Sequence, residues 1–236
     1  MLMLTGTPAY GLIRTLIRAE YLFREAKKSR MDPLERLIEE GLAHFSIVAG
    51  PDAAARLLSY TKELARWRRT VNLVGLKDDR RIVTDLLYDA FFLHTCLAAA
   101  SSLLDLGSGA GVVSIPLALL NPEKRVISLD KSLKKTQFQS HVKRLLGLGG
   151  LEILRGRAED IPPLGVEALV AKAFGPTSSV LEKGGRHLAV GGLALIAKGR
   201  TGNPSEHQGY LLEQIKAYRL PESEKTYQLF IYKKAS

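Results

Sequence analysis

The sequence has one cysteine and no long apolar run. Because Cys96 is the single thiol among 236 residues, an internal disulfide cannot form and a disulfide-stabilised scaffold is excluded. No apolar run approaches the roughly 20 residues that a membrane-spanning helix needs. Arg14 and Arg18 interrupt the apolar N-terminal segment, which a signal peptide does not tolerate. These absences predict a cytoplasmic protein without a membrane span.

Positive charge exceeds negative charge: 34 Lys and Arg residues against 24 Asp and Glu residues give a formal net charge of +10. Two local clusters of basic residues are Arg66, Arg68 and Arg69, and Lys131, Lys134 and Lys135. This balance favours a polyanionic partner, nucleic acid first and an anionic membrane surface second. Solubility alone is the alternative explanation for the same charge.

The sequence pattern changes near residue 100. Residues 31–100 place apolar residues at helical spacing, after an Asp32-Pro33 start signal, and predict a helical cap. From residue 101, short apolar strands alternate with helices, which predicts a mainly parallel sheet covered on both faces. The predicted strands are 102–106, 125–129, 151–155, 166–170, 192–197, 208–219 and 226–233, the last two forming an antiparallel hairpin. The predicted helices between them are 112–120, 132–146 and 177–187.

Residues 1–30 are a candidate basic amphipathic helix, and Met31 follows them directly. Two interpretations stay open: an extension that touches RNA or a membrane surface, or translation that begins at Met31. The predicted layout is therefore a basic extension at 1–30, a helical cap at 31–100 and a core domain at 101–236, in a monomer.

The strongest local signal is a glycine-rich turn. An apolar strand ends near Asp105, glycine then recurs as Gly107, Gly109 and Gly111, and a helix follows. Glycines let a backbone turn sharply and let a ligand approach with no Cβ in the way. Val112 occupies the third glycine position of a dinucleotide-binding pattern, so that pattern is not met. The spacing is typical of class I S-adenosyl-L-methionine (AdoMet) methyltransferases; a plain tight turn is the alternative.

Two further acids occur where such a fold needs them. Asp130 ends the second predicted strand, where a carboxylate can accept hydrogen bonds from both ribose hydroxyls. Glu159 follows the third predicted strand, where these enzymes hold adenine. Each acid could instead cap a helix or lie on a solvated turn. Three matches in register favour an AdoMet-dependent methyltransferase.

Some catalytic motifs are missing. Residues 171–176, AKAFGP, contain no Asn-Pro-Pro-Tyr type motif, which would orient an exocyclic amine. Cys96 precedes the glycine turn, so a cysteine nucleophile that attacks a pyrimidine ring is not predicted. The histidines show no metal-ligand spacing, so no metal is predicted. Guanine N7 needs neither a base nor a nucleophile, because it carries an in-plane lone pair and no proton. Positioning alone can then supply most of the rate, although other nitrogen and oxygen acceptors stay open.

Together these residues resemble the bacterial small-subunit ribosomal RNA guanine-N7 methyltransferase family, also called glucose-inhibited division protein B. The ordered motifs are WRRTVNL at 67–73, the turn at 105–111, IPLA at 115–118, Asp130 with Lys134 and Lys135, GRAE at 156–159, KAF at 172–174 and AKG at 197–199. The resemblance implies a class I, Rossmann-like AdoMet methyltransferase fold with a seven-stranded, mainly parallel sheet. It also implies small-subunit (16S) rRNA or the 30S subunit as partner, and direct in-line methyl transfer without a general base.

The predicted site follows from the motifs and the resemblance together. The predicted cofactor-binding residues are Asp105, Gly107, Ser108, Gly109, Gly111, Val112, Asp130, Lys131, Ala158, Glu159 and Lys172. The predicted RNA-binding residues are Arg66, Arg68, Arg69, Asn72, Lys198 and Arg200. No catalytic residue is assigned. Trp67 could stack on a splayed base or pack the cap onto the sheet.

Three positions depart from the family's pattern. Lys172 stands where arginine is usual, and lysine lacks the planar two-pronged donor of arginine. Asp85 and Leu86 replace a basic residue and a histidine, and Val113-Ser114 replaces Pro-Gly. Two alternatives therefore stay open beside the rRNA enzyme: a methyltransferase retargeted to a small molecule or protein, and an inactive RNA-binding paralogue.

Overall fold

The structure is a computed structural model that describes residues 13, 18, 31–97, 99–199 and 203–235. The predictions for residues 1–30 and for Arg200 lie outside this part, apart from Ile13 and Arg18, which are helical. None of the helices in the described part has the length and apolar character needed to cross a membrane.

Within residues 31–97, three helices precede the sheet. They are α1 (Pro33–His44), α2 (Ala53–Trp67) and α3, which runs through Asp79–Arg81, a π-helical turn Ile82–Leu87 and Tyr88–Cys96. The start signal works as predicted: the Asp32 carboxylate accepts a hydrogen bond from the Leu34 backbone N–H at 2.9 Å, with Pro33 at the first helical position.

Seven strands form one sheet in the order β3-β2-β1-β4-β5-β7-β6. They are β1 (Ser102–Leu106), β2 (Arg125–Asp130), β3 (Leu151–Arg155), β4 (Val166–Lys172), β5 (Leu188–Lys198), β6 (Tyr210–Arg219) and β7 (Thr226–Lys234). Strands β1 to β5 are parallel, and β7 lies antiparallel between β5 and β6. The predicted parallel sheet and terminal hairpin are confirmed.

Both faces of the sheet are buried. The crossover helices are α4 (Ser114–Leu120), α5 (Leu133–Leu146) and α6 (Thr177–Gly184). Leu103 of β1 belongs to one apolar cluster, which it shares with α1–α5, whereas Leu104 belongs to a second cluster with α6. Strand order reverses at β1, between β2 and β4, and open parallel sheets bind ligands outside the carboxyl ends of the strands at such a point.

The largest boundary difference is at β5, which begins four residues before the predicted strand. The pairing register between β4 and β5 shifts between Val166 and Ala168. On β5 the extra residues lie between Leu188 and Leu193. Among them is Gly191, whose φ of +79° is a value that glycine adopts without strain. Gly191 therefore lies inside a bulged strand, whereas the predicted strand began one residue later, at Gly192.

Candidate active site

Two adjoining cavities open near the carboxyl ends of the central strands. The first, the polar pocket, has a volume of about 380 Å³ and is lined by Leu106, Gly107, Leu129, Asp130, Lys131, Ser132, Lys135, Gly156, Arg157, Ala158, Glu159, Ala173, Phe174, Ser179 and Lys183. The second, the apolar cavity, has a volume of about 340 Å³ and is lined by Leu76, Asp85, Leu86, Asp89, Ala171, Lys172, Ala173, Phe174, Gly175, Val180, Ile196, Ala197, Lys198, Gly199, Tyr218 and Tyr227. Ala173 and Phe174 line both cavities.

The glycine turn forms the part of the site between β1 and α4. Gly107, Gly109 and Gly111 have φ values of +70°, +60° and +71°, in the left-handed region that side chains disfavour. A Cβ atom on Gly107 would lie 2.5 Å from the Phe174 ring. The turn therefore needs glycine both for its backbone conformation and for the close approach of Phe174.

Asp130 fixes the glycine turn from the end of β2. One carboxylate oxygen accepts a hydrogen bond from the Gly109 backbone N–H at 2.9 Å, and the other accepts from the Ser132 N–H at 2.8 Å. The half-buried carboxylate also lines the polar pocket. Each oxygen has a second lone pair, so this acid can still accept hydrogen bonds from ribose hydroxyls.

A buried polar network supports the turn from below. Gln139 donates to the Ser108 hydroxyl at 2.9 Å and to the Gly109 carbonyl at 2.8 Å. Ser128 donates to Ser108 at 2.6 Å and also contacts Gln139. Ser108 thus supports the turn and does not line the polar pocket. Gln139 and Ser128 were not predicted, because neither belongs to the glycine pattern.

Asp105 also lies beneath the turn, with 2% of its surface exposed. Its carboxylate accepts a hydrogen bond from the Ser114 backbone N–H at 2.9 Å, at the start of α4. Burial raises the pKa of Asp105 to about 6, against the opposing effects of Ser114 and the more distant Lys172 charge. This acid therefore holds the turn against α4 from inside the core.

The opposite rim of the polar pocket is a short turn after β3. The buried His187 ring nitrogen Nε2 lies 3.0 Å from the Ala158 carbonyl, and Arg186 donates to the Glu159 carbonyl at 2.8 Å. The Glu159 side chain pairs with Lys183 at 2.9 Å. Its own backbone N–H and the Lys183 ammonium lower the pKa of Glu159, so it is a carboxylate at neutral pH.

The floor of the apolar cavity carries a buried ion pair. The Lys172 ammonium lies 2.6 Å from one oxygen of Asp89, which is 3% exposed, while the lysine side chain is 24% exposed. The Tyr218 hydroxyl donates to the other Asp89 oxygen at 2.6 Å. Burial and the Asp89 charge raise the pKa of Tyr218, so the hydroxyl stays protonated and donates. The Tyr218 ring stacks on Phe92, with ring centres 3.8 Å apart.

Two irregular backbone segments border this cavity. The π-helical turn of α3 supplies Asp85 and Leu86, and the left-handed residue Ala173 has φ +55°. Both kinds of irregularity are frequent at functional sites. Asp85 accepts from Arg81 at 2.6 Å, four residues earlier on the same helix. The acid at this departure from the family's pattern is therefore neutralised by an arginine next to it.

Comparison with known proteins identifies the family. The sequence model of rRNA small subunit methyltransferase G matches residues 53–228. The chain belongs to this family. It is 32% identical over 171 residues to the ribosomal RNA small subunit methyltransferase G of Cellvibrio japonicus, covering 70% of this chain and 78% of that protein. It is 30% identical over 199 residues to the same protein of Geobacter sulfurreducens, covering 80% and 92%.

The fold comparison agrees with the family assignment. A crystal structure of a SAM-dependent methyltransferase from Aquifex aeolicus matches with a TM-score of 0.52 at 14% identity, covering 74% of this chain and 97% of that one. This match confirms the class I methyltransferase fold. The chain is thus an AdoMet-dependent methyltransferase of the rRNA small subunit methyltransferase G family, as the ordered motifs predicted.

The predicted cofactor residues of this methyltransferase divide into three groups. Gly107, Asp130, Lys131, Ala158 and Glu159 line the polar pocket. The residues around the turn that do not line it are Asp105, Ser108, Gly109, Gly111 and Val112. Lys172 lines the apolar cavity instead.

Lys135 was not among the predicted site residues, yet it lines the polar pocket of this methyltransferase. Its ammonium lies 3.8 Å from the position that a Cβ on Gly109 would take. The Lys134-Lys135 pair in the sequence was the available signal. Helical geometry decides which of two adjacent lysines faces the turn, and that geometry depends on where α5 begins.

The predicted RNA-binding residues have different environments. Arg66, which pairs with Glu63, is exposed, as are Arg69 and Asn72. Arg68 is bound instead: it donates to the Lys77 carbonyl at 2.6 Å and to the Asp79 carboxylate at 2.6 Å. Lys198 lines the apolar cavity and donates to the Gly175 carbonyl, and burial lowers its pKa. Trp67 packs edge-on against Phe138, with ring centres 5.5 Å apart.

Proposed function

We propose that this methyltransferase transfers a methyl group to N7 of a guanine in small-subunit rRNA, by in-line displacement without a general base. The observation that carries the proposal is the wall shared by the two cavities. Ala173 and Phe174 line both, so a methyl donor in the polar pocket and a base in the apolar cavity would meet there. Family membership supports rRNA as the substrate.

The polar pocket fits AdoMet group by group. Asp130 offers carboxylate lone pairs to the ribose hydroxyls, and the turn at Ala158 and Glu159 would border the adenine. Lys135 would neutralise the carboxylate of the amino-acid end. When bound there, the cofactor supplies an electrophilic methyl group on a sulfonium. Gly107 of the turn leaves the backbone bare on this side.

The chain's own contribution is positioning. Among the described residues that line the two cavities there is no Cys or His. Guanine N7 loses no proton on methylation, so the reaction needs no proton acceptor at that atom. Holding two reactants in line lowers a barrier by roughly 7–11 kcal/mol. Phe174 and the apolar side chains of the cavity exclude water, which protects the sulfonium from hydrolysis.

The proposed RNA surface includes Arg69 and Asn72, which line a groove together with Leu76, a residue that also lines the apolar cavity. We assign phosphate contacts to Arg66, Arg69 and Lys198, and a polar contact to Asn72, whereas Arg68 is left out because it binds its own loop. RNA binding should weaken with salt by a log–log slope of roughly −0.7 to −0.9 for each phosphate neutralised. We also propose that the protein acts as a monomer in the cytoplasm on ribosomal RNA, with a helical cap at 31–100 and a core domain at 101–236.

The test is methyl transfer to small ribosomal subunits that lack 7-methylguanosine. The purified protein is incubated with methyl-labelled AdoMet and these subunits, the RNA is digested, and the labelled nucleoside is identified. Label in 7-methylguanosine at one site is the expected result. Label in another nucleoside would refute the N7 assignment. Labelled small molecules or proteins from a lysate, with unlabelled rRNA, would favour a retargeted enzyme.

A further inference from the structure

We infer that residues 183–187, at the end of α6, form a clamp that sets the adenine selectivity of the cofactor site, with His187 as its main positioning residue. The inference rests on the proposed function, which assigns the adenine to the turn at Ala158 and Glu159. It deepens that assignment, because it names the side chains that hold this turn in place.

The clamp holds the turn through three side chains. The His187 ring nitrogen Nε2 lies 3.0 Å from the Ala158 carbonyl. Arg186 donates to the Glu159 carbonyl at 2.8 Å, and the Lys183 ammonium lies 2.9 Å from the Glu159 carboxylate. The C=O and N–H groups of a trans peptide point in opposite directions. Fixing two successive carbonyls therefore also fixes which side of the turn faces the polar pocket.

The His187 ring acts as a hydrogen-bond donor because it is neutral and buried, with 0% of its surface exposed. Burial and the Arg186 charge lower the pKa of His187, against the opposing effects of the Ala158 and Pro162 carbonyls. The ring therefore carries a single N–H at neutral pH. Since a carbonyl oxygen can only accept, that proton lies on Nε2, and His187 donates to Ala158.

The clamp is itself fixed to the core of the protein. The Lys234 ammonium of β7 donates to the Gly185 carbonyl at 3.2 Å and to the Leu188 carbonyl at 2.8 Å. Gly184 packs so closely on β1 that an added Cβ would lie 2.6 Å from Leu106. Supporting contacts of this kind hold a binding group in its productive geometry before the ligand arrives. The clamp thus links the turn to the rigid sheet.

The selectivity depends on how firmly the Glu159 carboxylate is held. Its own backbone N–H and Lys183 lower its pKa, and an ionised carboxylate can only accept hydrogen bonds. Adenine has a donating 6-amino group, whereas hypoxanthine has an accepting oxygen at the same position and a donating N1–H beside it. A carboxylate fixed opposite the 6-position therefore favours adenine. A carboxylate that can shift would meet the N1–H of hypoxanthine instead.

The experiment measures the binding of S-adenosylhomocysteine, the demethylated cofactor, and of its analogue with hypoxanthine in place of adenine. Titration calorimetry gives both dissociation constants for the unchanged protein, for His187→Phe, which keeps an aromatic ring without the donor, and for His187→Gln, which keeps an N–H donor. His94→Phe is the matched control: this half-buried histidine contacts Asn121 and lines neither cavity. Thermal unfolding measures the stability of each variant separately.

We expect the unchanged protein and His94→Phe to prefer the adenine compound by about 10- to 100-fold. His187→Phe should bind that compound about tenfold more weakly, and its preference should fall to within about threefold, because the turn can shift. His187→Gln should restore a preference of about tenfold or more. Should His187→Phe not fold, Arg186→Met, at an exposed position, frees the Glu159 carbonyl and should lower the preference about threefold or more.

Other outcomes overturn the inference in distinguishable ways. If His187→Phe weakens the binding of both compounds equally, or if His187→Gln loses the preference as well, the N–H donor of His187 does not set the selectivity. If the unchanged protein binds both compounds equally, the turn does not recognise adenine, while methyl transfer to guanine N7 is unaffected. If it binds neither compound, the proposed cofactor site fails and this inference fails with it.

Discussion

The polar pocket and the apolar cavity share a wall but are built differently. The polar pocket borders a turn that is shaped by backbone, with three left-handed glycines and backbone N–H groups held by Asp130. The cavity is shaped by side chains from distant segments, since Asp89 of α3 meets Lys172 of β4 and Tyr218 of β6. A turn made of backbone suits a cofactor that never varies. A cavity made of side chains lets one fold change its substrate by substitution.

The largest effect should come from the wall that both cavities share. Gly107→Ala places a Cβ against the Phe174 ring, which must move, and a shift of about 1 Å in a reaction site can lower the rate on the order of 100-fold. Gly147→Ala is the matched control, because its φ of +59° carries the same backbone cost and no atom lies within 4 Å of the added Cβ. If the two variants transfer methyl groups to subunits at equal rates, the position of the Phe174 ring does not affect catalysis.

The next largest effect should be on the affinity of the polar pocket for AdoMet. Asp130→Ala removes the ribose acceptors and frees the Gly109 and Ser132 N–H groups, so AdoMet should bind about 10- to 100-fold more weakly. Asp130→Asn keeps one oxygen acceptor and should lose less. Titration calorimetry gives both values. An unchanged dissociation constant for Asp130→Ala would remove this residue from the cofactor site.

Asp105 should affect stability more than binding. Its pKa of about 6 lies above the value of about 3.9 in an unfolded chain, so the folded state holds the proton more tightly. The contribution of Asp105 to the free energy of unfolding therefore falls as pH rises from about 4 to about 6, and it then stays constant. Asp105→Asn should stabilise the fold by about 1–3 kcal/mol at pH 8 and by little at pH 4.

Chemical unfolding across this pH range measures the effect. The exposed Asp160 provides a control, because Asp160→Asn removes the same carboxylate charge from the surface and not from the core. A pH-independent difference between Asp105→Asn and the unchanged protein would show that the buried carboxyl does not titrate in this window.

The smallest effect separates two adjacent arginines near the apolar cavity. Arg69→Ala should reduce the salt slope of RNA binding by roughly 0.7 to 0.9 and weaken binding a few-fold, because its exposed side chain is assigned to one phosphate. Arg68→Ala should leave the slope unchanged and lower the melting temperature instead, because it removes hydrogen bonds to Lys77 and Asp79. If only Arg68→Ala reduced the salt slope, Arg68 and not Arg69 would contact the phosphate.

The sequence predicted the polar pocket better than the apolar cavity, and the reason is physical. The glycine turn and the acid at the end of β2 are local patterns, each fixed by a few neighbouring residues. Asp89 and Tyr218 meet across 129 positions, and no local pattern marks that meeting. The environment of Arg68 was equally hidden in the sequence. The basic cluster suggested a cation available to RNA, whereas in the structure Arg68 donates hydrogen bonds to Lys77, in the loop before α3, and to Asp79.

Lys172 is the predicted cofactor residue whose surroundings the sequence did not predict. The resemblance to the family implies a cofactor contact, whereas the structure places the ammonium on Asp89 in the apolar cavity. Parallel pairing of β4 with β1 and β5 sets where β4 ends, and the next residue, Ala173, has a left-handed backbone. That turn separates the lysine from the polar pocket, and sequence spacing alone could not show it.

The most direct test of a two-pocket division is AdoMet affinity in Lys172→Met. We expect Lys172→Met to bind AdoMet with a dissociation constant within about twofold of that of the unchanged protein. In the same preparation, methyl transfer to subunits should fall at least about tenfold. An AdoMet affinity lost to the same extent as in Asp130→Ala would contradict the division and place Lys172 in the cofactor site.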